Sequence, residues 1–273
     1  MDEIRFAQQG HVGTLSLNRP DKLNAQTPAM WLRMAELGRE LVQIQDLRVL
    51  IVDGPGRSFS AGIDISAFIG GASDATDDGS GRAADGAGAM NNADAIGALQ
   101  AGFSWLEEAP FLTVAKVQGH ALGAGMQLAL ACDIRIVADD CSMGLLETRW
   151  GLMPDLGGTV WLPRLVGPAR ALELMVTAQR LNAAELLALG IVNRVVSRDE
   201  LDATVDAFAA QIVAQPPIAV RGAKAAVRRG WGNDTATGMR AAAEVQLDCL
   251  RSSDFREAGL AYVEGRTPNF TGR

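Results

Sequence analysis

The chain is poor in the residues that most often announce a function. It has one tyrosine, two histidines (His11 and His120) and three cysteines, and no run of Lys and Arg longer than two residues. Histidines so far apart, without nearby acidic partners, read as packing or turn residues rather than a catalytic pair. Cys132, Cys141 and Cys249 are an odd count without CxxC spacing, which excludes a disulfide framework and a zinc ribbon and leaves reduced thiols. A net charge of −7 without basic clusters argues against nucleic acid or an anionic membrane as the main partner. It leaves room for a small anionic ligand held by a local basic spot or a helix N-terminus. No apolar run approaches the ~18 residues of a membrane span. Met1-Asp2-Glu3 has neither the basic nor the apolar region of a secretion signal, so a cytoplasmic protein is expected. A GxxxxGK[ST] phosphate loop is absent, and Gly123-Ala124-Gly125 runs on into Met126-Gln127-Leu128 rather than completing GxGxxG.

What is present is a globular core. With 273 residues, 48% of them hydrophobic, the chain can bury a large interior without staples. Strands are expected at 4–7, 12–17, 112–117, 134–138 and 192–196. Residues 48–52 (RVLIV) form a near-continuous apolar run, as in a strand buried on both faces. Met30, Met34, Leu37 and Leu41 recur at helical spacing behind Pro28, and further helices are expected at 93–107 and 124–132. From Pro168 the pattern is mostly helical, over 168–177, 183–188, 199–213, 216–229, 237–250 and 254–264. The order is α/β followed by helices, with a division expected between 1–198 and 199–273. Residues 70–92 are rich in Gly, Ala, Asp and Ser and read either as a linker or as a flexible flap beside a site.

Three segments bear on chemistry. Ser58-Phe59-Ser60-Ala61-Gly62-Ile63-Asp64-Ile65 and Gly119-His120-Ala121-Leu122-Gly123-Ala124-Gly125-Met126-Gln127 each follow a buried strand with small residues. Such turns serve either tight packing or close approach of a ligand to the backbone. The second opens a helix whose first N–H groups are free to meet negative charge. The third, Gly144 to Gly158, places Glu147 and Asp155 among Leu, Trp and Met. Desolvation there raises a carboxyl pKa toward the range useful for proton transfer. Trp150 and Trp161 read as core, and Trp150 also sits beside Glu147.

These segments, in this order, resemble the crotonase (enoyl-CoA hydratase/isomerase) superfamily. So do Asn18-Arg19-Pro20-Asp21-Lys22-Leu23-Asn24-Ala25, Ala131-Cys132-Asp133-Ile134-Arg135, and the stretch from Arg256-Glu257-Ala258-Gly259 to Asn269-Phe270. The resemblance implies a spiral of ββα units with a C-terminal helical trimerisation region, assembling as a homotrimer or dimer of trimers. It implies an acyl-CoA substrate, with coenzyme A entering as part of that substrate and no metal or separate cofactor. The backbone N–H groups of Ile63 and Ala124 would form an oxyanion hole for the thioester carbonyl. Lys22, Leu23, Ala25, Ala61, Asp64 and Ile65 would line the CoA groove, Gly123 and Leu146 would contact the substrate with Trp150 walling the acyl pocket, and Tyr262 and Arg266 would reach a neighbouring subunit's CoA.

Hydratases of the family use two glutamates. Glu147 matches the second, but the first position, twenty residues earlier (147 − 127), holds Gln127. An amide cannot exchange a proton at neutral pH and can only orient through hydrogen bonds. The resemblance therefore leans to double-bond isomerisation by Glu147 with Asp155. The alternatives are hydration by Glu147 alone with Gln127 orienting water, a catalytically weak acyl-CoA-binding protein, and, disfavoured by the acidic charge, an RNA-binding relative.

Overall fold

The computed structural model describes residues 2–70 and 92–273, so the part of the Gly/Ala-rich stretch at 71–91 lies outside the described residues. Strands β1 (Ile4–Gln9) and β2 (Val12–Leu17) form an antiparallel hairpin in which Gln9 faces Val12. All later joins in this sheet are parallel: β3 (Val49–Asp53), β4 (Leu112–Val117), β6 (Ile134–Ala138) and β9 (Arg194–Val196) give the order β1-β2-β3-β4-β6-β9. β3 is buried at every position, as RVLIV predicts. Leu50 and Val52 enter the main core, while Val49 and Ile51 pack with Leu201, Val205 and Ala209 of α8 (Leu201–Val213). Helix packing on both faces is what removes the polar alternation from this strand.

A second, small sheet is formed by β5 (His120–Leu122), β7 (Ser142–Gly144) and β8 (Leu181–Asn182). The sequence pattern does not predict these strands, because two or three residues carry no periodicity. Also unpredicted are α2 (Ile65–Gly70) and α5 (Gly158–Val166), the latter because Gly158 and the internal Pro163 read as breakers. The remaining helices follow expectation within a few residues: α1 (Pro28–Leu41), α3 (Ala93–Glu108), α4 (Ala124–Ala131), α6 (Pro168–Thr177), α7 (Ala183–Ala188), α9 (Pro217–Gly230), α10 (Thr235–Arg251) and α11 (Ser253–Glu264).

In α1, Thr27 caps the helix by accepting from the Met30 N–H, and Pro28 occupies the first turn. Its buried face, with Trp31, Met34 and Leu41, packs on α3, where Trp31 and Phe103 meet edge to face at 5.9 Å. Gly102 permits this approach, since a Cβ there would lie 2.3 Å from the Trp31 carbonyl oxygen.

A buried cation helps fasten α9 to the rest. Lys224 Nζ reaches Asp133 at 2.7 Å and the carbonyls of Leu106 and Phe111 at 3.0 Å each, and its side chain is only 6% exposed. Lys224→Met strands the Asp133 charge and two carbonyls, so a loss of about 3–5 kcal/mol is expected in urea unfolding. A loss below about 1 kcal/mol, the range of an exposed pair, would refute this anchoring role.

Candidate active site

The segment Lys22–Gln26 lies along Ser60–Asp64. Leu23 and Asn24 both have left-handed φ (52° and 54°), a costly conformation for residues with a Cβ. Asn24 holds it: its Oδ1 accepts from the Arg19 N–H at 3.0 Å, and its Nδ2 donates to the carbonyls of Pro55 and Ser58 at 2.9 and 2.8 Å. The backbones then join, Ala61 N–H to Leu23 O at 2.9 Å, Gln26 N–H to Gly62 O at 2.7 Å and Asp64 N–H to Gln26 O at 2.8 Å.

This parallel bridge pairs Gln26 with Ile63 but uses the groups on either side of Ile63. The Ile63 N–H points the other way and has no acceptor among the described residues. Gly62 makes the turn possible, with φ +96° and a hypothetical Cβ only 2.6 Å from the Leu122 oxygen. That same Cβ position is 3.8 Å from the Ala124 nitrogen, so the two chain segments run side by side. Gly123 (φ +52°) opens α4, and the Ala124 N–H, in the first turn, is likewise unpaired. Two main-chain donors therefore stand free at adjacent points.

Glu147 begins a 3₁₀ turn, Glu147–Trp150, fixed to the end of α6 by Thr148 Oγ donating to Met175 O and Arg149 Nη2 to Ala178 O, both at 2.8 Å. Its carboxylate lies over the Gly123 turn, 3.3 Å from where a Gly123 Cβ would stand. Gln127, buried on α4, donates from Nε2 to Glu147 Oε1 at 2.7 Å and accepts at its own Oε1 from the Gly158 N–H at 2.9 Å. Glu147 Oε2 is buried and without a partner. Burial pushes the Glu147 pKa above the ordinary carboxylate range and the Asp155 charge adds to this, while the Gln127 hydrogen bond opposes it. Burial likewise raises Asp155, whose backbone carbonyl accepts from Gln100 Nε2 of α3 at 2.7 Å.

All of this surrounds one cavity of about 540 Å³. Ala61, Ile63, Ile65, Gly123, Ala124, Gln127, Leu146, Glu147, Trp150 and Asp155, each expected from sequence, line it together. The expectation does not include Trp31, Ile96, Leu152, Met153 and Leu156, which complete its apolar wall. Trp31 belongs to the apolar face of α1 and carries no sequence signal separating a wall residue from core. Trp150 is 61% exposed at the rim, which corrects its reading as core, whereas Trp161 is buried and donates to Glu107 at 2.9 Å.

Other expected residues do not line this cavity. Asp64 is buried and turned toward Ser66 Oγ (2.6 Å), Arg19 (2.8 Å) and Lys22 (3.2 Å), and these hydrogen bonds, Ser66 first, hold it well below the usual carboxylate range. Lys22, Leu23 and Ala25 are also absent from the cavity lining, and their segment pairs with Ser60–Asp64 through the Ala61 N–H to Leu23 O hydrogen bond. Tyr262 is exposed on α11, and the Arg266 guanidinium is engaged by Glu257 and Glu264. Cys132 and Cys141 are buried and their thiols are pushed up to about 12, beyond useful nucleophilicity. No group of three or more His, Cys, Asp or Glu that could hold a metal occurs among the described residues, and no helix among them is long and apolar enough to cross a membrane.

A twisted, mostly parallel sheet that delivers two free main-chain N–H groups and a buried carboxylate to one apolar cavity is the architecture of a crotonase-type enzyme. Residues 7–273 match the family described as enoyl-CoA hydratase/isomerase, and the chain belongs to it. It is 34% identical over 276 residues to a crotonyl-CoA hydratase of Syntrophomonas wolfei, covering 98% of each chain. An enoyl-CoA hydratase structure from Bacillus anthracis superposes with a TM-score of 0.88 at 31% identity over the whole of both chains. A Thermobifida fusca structure in complex with acetoacetyl-CoA gives 0.81 at 38% identity, covering 91% of this chain and 94% of that one.

Proposed function

We propose that this cavity takes an enoyl-CoA thioester and moves its double bond between the β,γ and α,β positions. The observation that carries this reading is Gln127: where a hydratase has its other glutamate, an amide is committed to Glu147 and to the Gly158 N–H. Glu147 Oε2 removes a proton from the α carbon, and the electrons pass to the thioester oxygen. That oxyanion accepts from Ile63 and Ala124, two donors set before the charge develops. Return of a proton to the γ carbon, from Glu147 or through Asp155, completes the isomer with no atom gained or lost. The acetoacetyl-CoA complex of the Thermobifida fusca relative supports a CoA thioester as the ligand.

The hydratase names of relatives favour a second reading, in which Glu147 alone activates water. A 3-enoyl-CoA and a 2-enoyl-CoA followed by ultraviolet absorbance and mass spectrometry separate the two. Isomerisation is expected to exceed hydration by about tenfold or more, since hydration lacks one proton-transfer group. Faster hydration would overturn the reading, and binding without turnover would leave an acyl-CoA carrier.

For assembly the reading is a homotrimer or a dimer of trimers. It is supported by apolar side chains left exposed on α10 and α11, among them Leu247, Leu250, Leu260 and Val263. Tyr262 and Arg266 would then serve a neighbour's CoA. Light scattering that returned a monomer mass would sink it.

A further inference from the structure

Gln26 stands behind the Ile63 donor and touches every part that fixes it. Its backbone brackets Ile63 through Gly62 O and the Asp64 N–H. Its side chain, wholly buried, accepts at Oε1 from Trp31 Nε1 at 2.8 Å and donates from Nε2 to Ser60 Oγ at 2.9 Å. That hydroxyl is then saturated: it donates to Asn24 O at 2.8 Å and accepts a further hydrogen bond from the Gly62 N–H at 3.2 Å. The Ser60 backbone in turn pairs with β5, its N–H to His120 O at 2.8 Å and its O from the Leu122 N–H at 3.0 Å, one residue before the Gly123 turn. The peptide carrying the Ile63 N–H joins Gly62 to Ile63, and both of Gly62's backbone polar groups are held by this network.

We propose that Gln26 is a positioning residue for thioester binding: through Ser60 and Gly62 it sets the direction of the Ile63 N–H, and the indole of Trp31, a wall of the same cavity, is its anchor. Gln26 lies behind the donor and does not line the cavity, so its effect passes through Gly62 and Ile63. A leucine at 26 keeps the backbone bracket but removes both side-chain hydrogen bonds, freeing Ser60 and Gly62 to shift. An error of an ångström or less in a donor's aim weakens it most where charge develops, in the transition state. The proposal rests on the reading of Ile63 as a thioester donor, and not on which reaction follows.

The test is Gln26→Leu read with a bound 4-dimethylaminocinnamoyl-CoA ester, whose absorption moves to the red as its carbonyl is polarised. The shift is expected to fall by about half or more, and kcat by about tenfold to a hundredfold with KM nearly constant, less than the 10²–10³ of losing a donor outright. Because Gln26→Leu also orphans the Trp31 N–H, the same change is made beside Trp31→Phe, which removes that demand. Trp31→Phe alone keeps the Gln26–Ser60 hydrogen bond and serves as the reference, against which the double variant is expected to lose about half or more of the remaining shift. An unchanged shift and kcat in Gln26→Leu, or in the double variant relative to Trp31→Phe, overturns the proposal. Tight binding of the ester to the unaltered protein with no red shift overturns the donor assignment with it. An intact shift without isomerisation overturns only the reaction reading.

Discussion

Replacing Glu147 with glutamine lowers enoyl-CoA turnover about 10²–10⁴-fold, the usual worth of a positioned proton carrier. The shape of the site survives, because a glutamine oxygen can still accept from Gln127 Nε2 at the 2.7 Å spacing now held by Glu147 Oε1. Stability is held or improved, since a buried amide costs less to desolvate than a half-satisfied carboxylate with an unpartnered oxygen. The expected result is a kcat effect with an unchanged melting temperature and little change in binding of a non-reactive CoA thioester. Retention of activity within about threefold would remove Glu147 from the chemistry.

The same group sets a pH dependence. In the proposed reaction Glu147 is the base and must be ionised, and burial raises its pKa, so activity is expected to fall as pH drops through a value above the ordinary carboxylate range. Stability has the opposite slope. Between the unfolded pKa and the raised folded one, the native state holds a proton that the unfolded chain has released, so stability falls as pH rises through that window. Glu147→Gln should remove this contribution from a pH series of unfolding curves.

Gly62→Ala is the second large effect. It combines a φ of +96° with a Cβ 2.6 Å from the Leu122 carbonyl oxygen, so backbone must move. The peptide that moves carries the Ile63 N–H. A loss of about 10²–10³ in kcat is expected, as for removal of an oxyanion donor. Strain adds about 1–3 kcal/mol of destabilisation. Gly56→Ala is the control: its φ is +92°, its Cβ would meet only Pro20 at 3.2 Å, and it does not line the cavity. That variant should lose stability and keep kcat. Equal losses of kcat in both would assign the Gly62 effect to general strain.

The features legible in the sequence are those that local chemistry encodes. The apolar run of β3, the spacing along α1 with Thr27 and Pro28 at its start, and the Gly-rich strand-to-helix turns follow from residue type over a few positions. Three such segments in order were enough for the family, and with it for the fold and for Glu147, Gln127 and the Ile63 and Ala124 peptides as candidates. Tertiary structure decided what these groups face. Asp64 and Ile65 are neighbours in sequence, yet one turns to Arg19 and Lys22 while the other lines the cavity. The Trp31 wall, the Gln26–Ser60 hydrogen bond and the Gly158 N–H on Gln127 bring together residues far apart in the chain, and short-range patterning carries no record of them. The small strands β5, β7 and β8 are too brief for any period, and long-range pairing alone makes them strands. The sequence by itself thus determined the family and which residues are candidates for its chemistry. The packing of distant segments decided that Gln127 is spent on holding Glu147, because a hydrogen bond exists only where the fold brings donor and acceptor within reach.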